Sequence, residues 1–452
     1  MPFLGTTGGG SVKQYGGQAN LGYFIKNSVR LRSSVSAYFN RTPASATNRK
    51  TWTWSGWVKR GQLGSTDRLF SAGSGTTYTE ILTTSDTFKI NANISGADNG
   101  QVSTVAVYRD PSAWYHLVVV FDVTAVTKIV VYINGVSQTL TTTTAFTNQN
   151  YEINNAISHN VGNFAPTPAS GDNWDGYLTE INFIDGQALT PSSFGKTDAV
   201  TGQWIPKKFA STYGTNGFYL KFADASAATA AAIGKDSSPN GNNWTPNNIS
   251  VTAGTTYDAM IDSPTLSAVA SNYAVMNPLA VGANSSQITF SNGNLTTTWS
   301  SAGGYAAAIA TIGVSTGKWY WEIVNTSAVN SNIGILKDGD SLASYVGQTA
   351  NGYSWYTTGN KYNNASGTAY ASAYAQNDVI GVALDMDGGT LTFYKNGATQ
   401  GQAFSGLSGT FFPAVSDGDA TNAVVFASNF GQRPFAYTPP SGFKSLNTYN
   451  LP

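Results

Sequence analysis

Two stretches of the chain share one arrangement of apolar and polar positions, and the later stretch shows it more clearly. Residues 377–397 read NDVIGVALDMDGGTLTFYKNG, in which an apolar run (Val379–Asp385) precedes turn sequence and an alternating run (Thr390–Lys395). Asn396 and Gly397 then close the stretch with the strongest short hairpin signal. Because glycine tolerates the positive φ of tight turns, the pattern predicts three tightly turned antiparallel strands.

An earlier stretch repeats this plan. Residues 114–135 read WYHLVVVFDVTAVTKIVVYING, with an apolar strand ending at Asp122, a short turn, a β-branched strand and a closing Asn134-Gly135. The two copies lie far apart, so they predict two β domains built on a similar hairpin. The side chains expected to be buried are Val119, Phe121, Ile129 and Val131 in the first domain, and Val382, Leu384, Leu391 and Phe393 in the second.

Strand and turn signals divide the chain into four segments. Short strands separated by turns fill residues 31–195 and again residues 266–452, which is the spacing of β-sandwiches. Residues 196–265 form a turn-rich bridge that holds too many aromatic residues for free solvent, so we expect it to pack on a neighbour. The predicted fold is all-β: two jelly-roll-like β-sandwiches joined by a β bridge, after a short irregular N-terminal arm.

The predicted arm, residues 1–30, shows no sustained alternation and contains two glycine clusters. One interpretation is a frayed terminus. The other is an anchoring or assembly arm that orders only against a partner, with Tyr15, Tyr23 and Phe24 as its contacts.

Composition agrees with the all-β prediction and excludes several classes of function. Lysine plus arginine equals aspartate plus glutamate at 24 each, so charge gives no argument for a nucleic-acid partner. Only four residues are glutamate, a good helix former, beside 48 glycines. The absence of cysteine excludes disulfides and thiolate chemistry. No apolar run approaches the roughly 18 residues of a membrane helix, so we expect no membrane insertion.

The motifs of both predicted sandwiches resemble known families. WTWSGWVKRG, WYHLVVVFD, KIVVYINGV and GYLTEINFIDGQALTPSSFG are similar to the successive strands of a laminin-G-like (concanavalin A-like) jelly roll, over residues 31–195. GKWYWEI, DVIGVALD, GTLTFYKNG, FFPAVS and NFGQRPF follow the order and spacing of a SPRY domain. Both resemblances imply two-sheet β-sandwiches.

A laminin-G-like segment followed by a SPRY-like segment resembles the structural proteins of tailed bacteriophages. This resemblance implies a non-enzymatic virion component made in the host cytoplasm and displayed on the virion surface, as a tail fibre or another appendage. Its implied partners are other virion proteins and a host-surface glycan or receptor. A homo-oligomer is implied as well, with a trimer favoured by analogy with fibres. The alternatives are a capsid-decorating or connector protein that binds only virion proteins, and a polysaccharide depolymerase.

Catalytic motifs are absent from the sequence. His116 and His159 have no second histidine at ligand spacing, and no GxSxG elbow occurs. A depolymerase needs two carboxylates that flank the glycosidic bond, which jelly-roll glucanases place on one strand as E-x-D-x-x-E. Glu180 and Glu322 instead each stand alone on a predicted strand. We therefore predict no catalytic residues.

Sugar binding is the ligand chemistry that the sequence favours. It needs exposed aromatic faces and polar side chains that bond to hydroxyls, and residues 345–374 supply both. The candidate binding residues are Tyr362, Tyr370, Trp355 and Asn363; the alternative for Trp355 is that it fills the core.

Calcium is the one cofactor to be considered. Laminin-G-like and lectin jelly rolls often bind it, and Asp172, Asn173 and Asp175 are the candidate ligands. Calcium takes six to eight oxygens, more than this cluster declares. Turn hydrogen bonding is the competing explanation for these residues.

Overall fold

The structure, a computed structural model, describes residues 23–168, 171–280, 282–300, 304–419 and 423–452. The described residues are 43% strand and 2% helical, which confirms the all-β prediction. Tyr15 lies outside the described residues. No helix within those ranges is long and apolar enough to cross a bilayer. The described residues form two units, one of residues 23–252 and 256–270 and the other mainly of residues 271–452.

In the described residues, the first unit is built from short strands and two 3₁₀ turns. The 3₁₀ turns are Ser33–Val35 and Pro191–Ser193. The strands are β1 (Ser28–Leu31), β2 (Tyr38–Arg41), β3 (Thr51–Arg60), β4 (Asp67–Ser74), β5 (Thr77–Thr84), β6 (Thr87–Ile94), β7 (Ala97–Thr104), β8 (Trp114–Asp122), β9 (Ile129–Ile133), β10 (Val136–Ser137), β11 (Leu140–Thr144), β12 (His159–Val161), β13 (Gly176–Asp185), β14 (Gly195–Thr197), β15 (Trp204–Pro206), β16 (Phe218–Leu220), β17 (Thr245–Asn247) and β18 (Ala259–Met260).

These strands form two eight-stranded sheets and the separate hairpin β14-β15. Sheet I has the order β10-β9-β8-β3-β13-β1-β18, and β16 also pairs with β13. Sheet II has the order β11-β7-β6-β5-β4-β12-β2-β17. One hydrophobic core joins the two sheets, and in it Trp52 of β3 stacks on Phe121 of β8 with ring centroids 4.6 Å apart. One face of each sheet thus packs into this shared core, and the central strands β3 and β13 of sheet I are buried on both faces.

The segment predicted as a bridge contributes strands to both sheets of this sandwich. β16 extends the edge of β13, β17 pairs with β2, and β18 pairs with β1. Trp244 and Phe218 lie in the main core, while Phe209 and Tyr213 belong to a smaller apolar cluster with Val118 of β8. The many aromatic residues of residues 196–265 are therefore buried against the first sandwich.

Two fully buried aspartates fasten the end of this segment to the first strands. Asp258 accepts hydrogen bonds from the Nε of Arg30 at 3.1 Å and from the Nε of Arg32 at 2.9 Å. Asp262 accepts one from Lys59 Nζ at 2.8 Å and one from the indole of Trp114 at 2.9 Å. A buried ion needs partners to offset its lost hydration, so these pairs fix which strand lies where.

The second unit has the same general construction. Its 3₁₀ turn is Ser285–Gln287. Its strands are β19 (Ile288–Ser291), β20 (Thr296–Trp299), β21 (Ala307–Ile309), β22 (Lys318–Asn325), β23 (Ser331–Lys337), β24 (Gly352–Tyr356), β25 (Asn360–Asn363), β26 (Ser366–Ala369), β27 (Val379–Asp385), β28 (Thr390–Lys395), β29 (Ala398–Ser405), β30 (Phe411–Asp417), β31 (Val425–Asn429) and β32 (Lys444–Ser445). Sheet III runs β19-β20-β31-β22-β27-β28-β29 with β32 beside β22, and sheet IV runs β21-β30-β23-β24-β25-β26.

The two similar stretches occupy equivalent places in the two units. Each forms a three-stranded meander at one edge of an eight-stranded sheet: β8-β9-β10 in sheet I and β27-β28-β29 in sheet III. In both, the Asn-Gly pair has positive φ at both residues, 49° and 81° at Asn134-Gly135 and 50° and 80° at Asn396-Gly397. These values fit a type I′ turn, whose twist matches that of the two strands of a hairpin.

The asparagine of each turn also bonds back to the first strand of its meander. The backbone N–H of His116 donates to Asn134 Oδ1, and that of Val379 donates to Asn396 Oδ1, both at 2.8 Å. All eight side chains predicted to be buried in these hairpins are buried. The hairpin prediction is confirmed in both units.

Removing a ring from either meander should destabilise its unit. Phe121 and Phe393 have no exposed surface, so replacing either with alanine should lower the free energy of unfolding by about 3 to 5 kcal/mol. Chemical denaturation measures this loss. Val126→Ala is the control, because Val126 is 99% exposed in the turn between β8 and β9 and its loss should change stability by under about 0.5 kcal/mol. Unchanged denaturation midpoints in both phenylalanine variants would contradict the assigned faces.

Breaking a buried ion pair should destabilise the first unit in a pH-dependent way. Asp262→Asn leaves Lys59 buried without its counter-charge, so we expect a loss of about 3 to 5 kcal/mol near neutral pH. Burial already lowers the pKa of Lys59. A lysine whose pKa is lower in the folded than in the unfolded protein stabilises the fold more as pH rises. The free energy of unfolding lost in Asp262→Asn should therefore become smaller toward alkaline pH. Exposed Asp98→Asn is the control, and a pH-independent loss would contradict this account.

Candidate ligand-binding surface

Four half-buried tyrosines adjoin one another in the second unit. The rings of Tyr305 and Tyr345 meet edge to face with centroids 5.0 Å apart. Tyr362 contacts Tyr345 at 6.0 Å and Tyr356 at 5.5 Å, again edge to face. Because all four keep part of their surface exposed, they form one continuous aromatic surface, which we call the tyrosine cluster.

Strand alternation places this cluster on the outer face of sheet IV. Trp355 of β24 has no exposed surface and points into the core, so its neighbour Tyr356 points outward. Tyr362 of β25 pairs with Ser354, which shares the face of Tyr356. Gly347 has a φ of +102°, and a Cβ there would lie 2.7 Å from the Cβ of Tyr362. A glycine is therefore required where the loop before β24 crosses Tyr362.

The hydroxyls of Tyr345 and Tyr356 stay neutral at physiological pH. Loss of solvent, and next the charge of Tyr362, raise the pKa of Tyr345. The same two causes raise the pKa of Tyr356, to which Asp419 also contributes. Neutral phenols can both donate and accept hydrogen bonds, and their rings offer apolar faces. The cluster can therefore bind a neutral ligand with apolar faces and hydroxyl groups.

The four residues predicted from sequence as ligand contacts are placed differently from one another. Tyr362 lies in the tyrosine cluster. Asn363 directly follows Tyr362 in β25, so its side chain faces the opposite way. Its Nδ2 donates to the carbonyl oxygens of Ala350 at 3.0 Å and Gly352 at 2.8 Å. Trp355 is fully buried against Tyr374 and Phe393, so its ring face is closed to any ligand. The core explanation for Trp355 is the one that the structure supports.

Tyr370 is half-buried, and its ring and hydroxyl mainly make packing and hydrogen-bond contacts within the second unit. Its hydroxyl donates to the carbonyl oxygen of Gly401 at 2.5 Å, and its ring meets Trp355 edge to face. Desolvation raises the pKa of Tyr370 to about 12. Tyr345 and Tyr356 lie within the predicted stretch 345–374 but are not among the four residues singled out from it, and Tyr305 lies outside that stretch. For Tyr356 a signal existed, since it directly follows a buried tryptophan in a strand and must face the other way.

Glu180 is a buried carboxylate at an irregularity in β13. Its φ of +52° marks a bulge, where the edge of β13 changes from pairing with β1 to pairing with β16. The hydroxyls of Tyr23 and Tyr219 both donate to Glu180 Oε2 at 2.5 Å. Burial raises the pKa of Glu180, and the two phenols oppose that shift. Tyr23, predicted as an arm contact, is thus bound within its own chain, and Phe24 beside it is half-buried.

Glu322 of β22 holds the C-terminal segment in place. Its Oε2 accepts the backbone N–H of Ala436 at 2.8 Å, and its Oε1 accepts that of Tyr437 at 2.9 Å. Burial raises the pKa of Glu322 while these two N–H groups lower it. The hydrogen-bond partners of the two glutamates are tyrosine hydroxyls and backbone N–H groups, so both carboxylates serve structural hydrogen bonds.

Comparison with known families matches each unit to a domain type. Residues 33–193 match the model described as the concanavalin A-like lectin/glucanases superfamily, and residues 318–433 match the SPRY domain model. The chain therefore carries a laminin-G-like domain followed by a SPRY domain. The tyrosine cluster lies mostly within the matched SPRY residues, and Glu180 lies within the matched laminin-G-like residues.

Individual relatives resemble only part of the chain. It is 34% identical over 139 residues to the ATP-dependent RNA helicase Ddx1 of Drosophila melanogaster, which is 30% of this chain and 18% of that protein. It is 29% identical over 138 residues to the ATP-dependent RNA helicase DDX1 of Xenopus laevis, again 18% of that protein. The chain thus spans less than a fifth of the length of these relatives.

Solved structures give a similar partial match. The SPRY domain of human HERC1 is 21% identical, with a TM-score of 0.31 over 35% of this chain and 99% of that chain. Stonustoxin is 17% identical, with a TM-score of 0.28 over 34% of this chain and 27% of that chain.

The predicted calcium ligands of the laminin-G-like domain do not fit a calcium site. Asp172 Oδ2 accepts a hydrogen bond from Arg68 Nη1 at 2.6 Å, so a guanidinium already neutralises it. Asp175 Oδ2 accepts one from Ser33 Oγ at 2.8 Å, and Asn173 Nδ2 donates to Ser36 Oγ at 2.9 Å. Within the described ranges, no three His, Cys, Asp or Glu side chains are grouped to hold a metal.

Both histidines of the laminin-G-like domain are buried and have both ring nitrogens occupied. The indole of Trp204 donates to His116 Nδ1, so the proton of that ring sits on Nε2 and is donated to Ser55 Oγ, both at 2.9 Å. His159 has the opposite tautomer, because its Nε2 accepts the backbone N–H of Asn154 at 3.0 Å. Burial lowers the pKa of His116 to about 3 and that of His159 to about 4.

Both rings should remain neutral in mildly acidic solution. An unfolded histidine takes up a proton near pH 6.5, so each depressed folded pKa makes acid destabilise this domain as pH falls through that range. With only two histidines, ¹⁵N-histidine labelling resolves each ring by NMR. At about pH 5 we expect one Nε2–H and one Nδ1–H neutral ring. An imidazolium signal from the folded protein at that pH would contradict the burial of these rings.

Proposed function

We propose that this chain is a non-catalytic virion surface protein, a tail-fibre-like appendage, that binds host-surface glycan through the tyrosine cluster. The single observation that carries the binding proposal is the cluster itself: four adjoining half-exposed tyrosines. The virion assignment rests on the resemblance of the paired domains and their motifs to structural proteins of tailed phages.

A sugar suits this surface better than a charged ligand does. The apolar face of a pyranose packs on aromatic rings, and its hydroxyls bond to neutral phenols and amides. The rings of Tyr345, Tyr356 and Tyr362 offer faces and hydroxyls together, with no cation among them. Such contacts are individually weak, and repetition over several copies would multiply their effect without any new contact.

The placement of the glutamates supports binding without cleavage. Glycoside hydrolysis requires one carboxyl group to protonate the leaving oxygen and a second nearby to act on the sugar. Glu180 is held by two tyrosine hydroxyls inside the laminin-G-like domain, and Glu322 is held by backbone N–H groups of the SPRY domain. Each makes hydrogen bonds that stabilise the fold, which supports the proposal that neither acts as half of a catalytic pair.

The glycan proposal is tested by removing two rings of the cluster. Tyr345→Ala combined with Tyr362→Ala should weaken binding to an array of bacterial surface polysaccharides by about tenfold or more, equivalent to about 1.4 kcal/mol. Tyr449→Ala is the matched control, since Tyr449 is a 42% exposed tyrosine of the same unit outside the cluster. Circular dichroism and thermal melting establish that each variant folds.

The other outcomes distinguish the alternatives. If polysaccharide becomes shorter on incubation, and the shortening vanishes in Glu180→Gln or Glu322→Gln, the protein is a depolymerase. If the wild-type protein binds no glycan but binds purified virion proteins, it is a decorating or connector protein. Equal glycan binding by the double variant and Tyr449→Ala would place the glycan site elsewhere.

A further inference from the structure

We propose that two copies of this chain associate through β11, the threonine-rich edge strand of sheet II, and so extend that sheet from one copy into the other. β11 reads LTTTT and pairs with β7 on one side. On its other side it pairs with no strand of the described ranges. Its three middle residues, Thr141–Thr143, are exposed.

This edge lacks most of the devices by which proteins prevent pairing between sheets. Natural edges carry charges, prolines or bulges. No charged residue occurs from Ile129 through Tyr151, a run that covers β9, β10 and β11. One irregularity in register lies between Thr142 and Thr144, which leaves Leu140–Thr142 regularly paired. The opposite edge of the same sheet, β17, has Pro246 at its centre. In sheet II, the β17 edge thus carries a proline that disfavours pairing with another strand, whereas the β11 edge carries neither a proline nor a charge.

Two valines near the start of β11 are exposed. Val136 of β10 is 65% exposed, and Val105 is 60% exposed. The backbone N–H of Val105 donates to the carbonyl oxygen of Thr139, which immediately precedes β11. Since only two residues join β10 to β11, both sheets of the sandwich end on this side. An association here would remove exposed apolar surface as well as pair the backbone.

A second copy is the occupant that this edge fits. When β11 of one copy pairs antiparallel with β11 of a second copy, the contact has two-fold symmetry. Each threonine of one strand then lies opposite a residue of the same threonine run in the other copy. A run of threonines is complementary to itself, because cross-strand threonine pairs are favourable in any nearby register. A two-fold contact also brings like charges together, and a charge-free edge avoids that repulsion. This geometry gives a dimer contact and not the three-fold contact of a trimeric fibre.

The test is the mass of the full chain in solution, measured by analytical ultracentrifugation over a wide concentration range. We expect twice the chain mass for the wild-type protein. Thr142→Lys, which puts a charge in the middle of the exposed run, should raise the dimer dissociation constant by at least about tenfold. Thr245→Lys on the proline-containing edge is the matched control, since Thr245 is also exposed, and it should leave the constant unchanged.

A charge-pairing experiment separates loss of the contact from loss of folding. Thr142→Glu alone should behave as Thr142→Lys does, whereas a mixture of the two variants should recover the dimer mass. The proposal is overturned by a monomeric wild-type protein, by an oligomer equally stable in Thr142→Lys and Thr245→Lys, or by a mixture that stays monomeric. The double variant Tyr345→Ala with Tyr362→Ala leaves β11 unchanged and should dimerise as the wild-type protein does. The glycan-binding proposal and the dimer proposal can therefore fail independently.

Discussion

Asp258 and Asp262, two aspartates late in the first unit, form ion pairs with three buried cations near its N-terminal strands. A buried lysine or arginine is tolerated only with a partner, so Lys59, Arg30 and Arg32 require these carboxylates in place. These ion pairs hold the end of residues 196–265 on the sandwich, to whose sheets β16, β17 and β18 of that segment belong. The laminin-G-like unit is therefore larger than its sequence motifs, and the segment between the motifs is part of its core.

The same principle explains how the rare glutamates are used. Glu180 is held at a bulge by two phenols, and Glu322 is held by the backbone of the C-terminal segment. Both carboxylates satisfy polar groups that would otherwise be buried without partners, at points where a strand changes neighbours or a segment crosses a sheet. Such carboxylates resemble isolated catalytic candidates in the sequence, and their partners show that they stabilise the fold.

The two sandwiches present different surfaces for binding. In the SPRY domain, the alternation of β24 and β25 directs one set of aromatic residues inward and leaves a second set as the tyrosine cluster. In the laminin-G-like domain the aromatic residues are mainly internal, and the distinctive exposed feature is the uncharged edge at β11. The two proposals therefore assign ligand contact to one domain and self-association to the other.

The sequence by itself determined the all-β class, the two domain types and the buried faces of both meanders. These properties depend on local periodicity and on turn residues such as Asn134-Gly135, which act over a few positions. Only the tertiary structure decided the partners of Asp258 and Glu180, the closure of Trp355 and the assembly of the tyrosine cluster. Arg30 and Asp258 are 228 residues apart, and no local pattern encodes such a contact. It arises from strand order and register, which are fixed when the whole core packs.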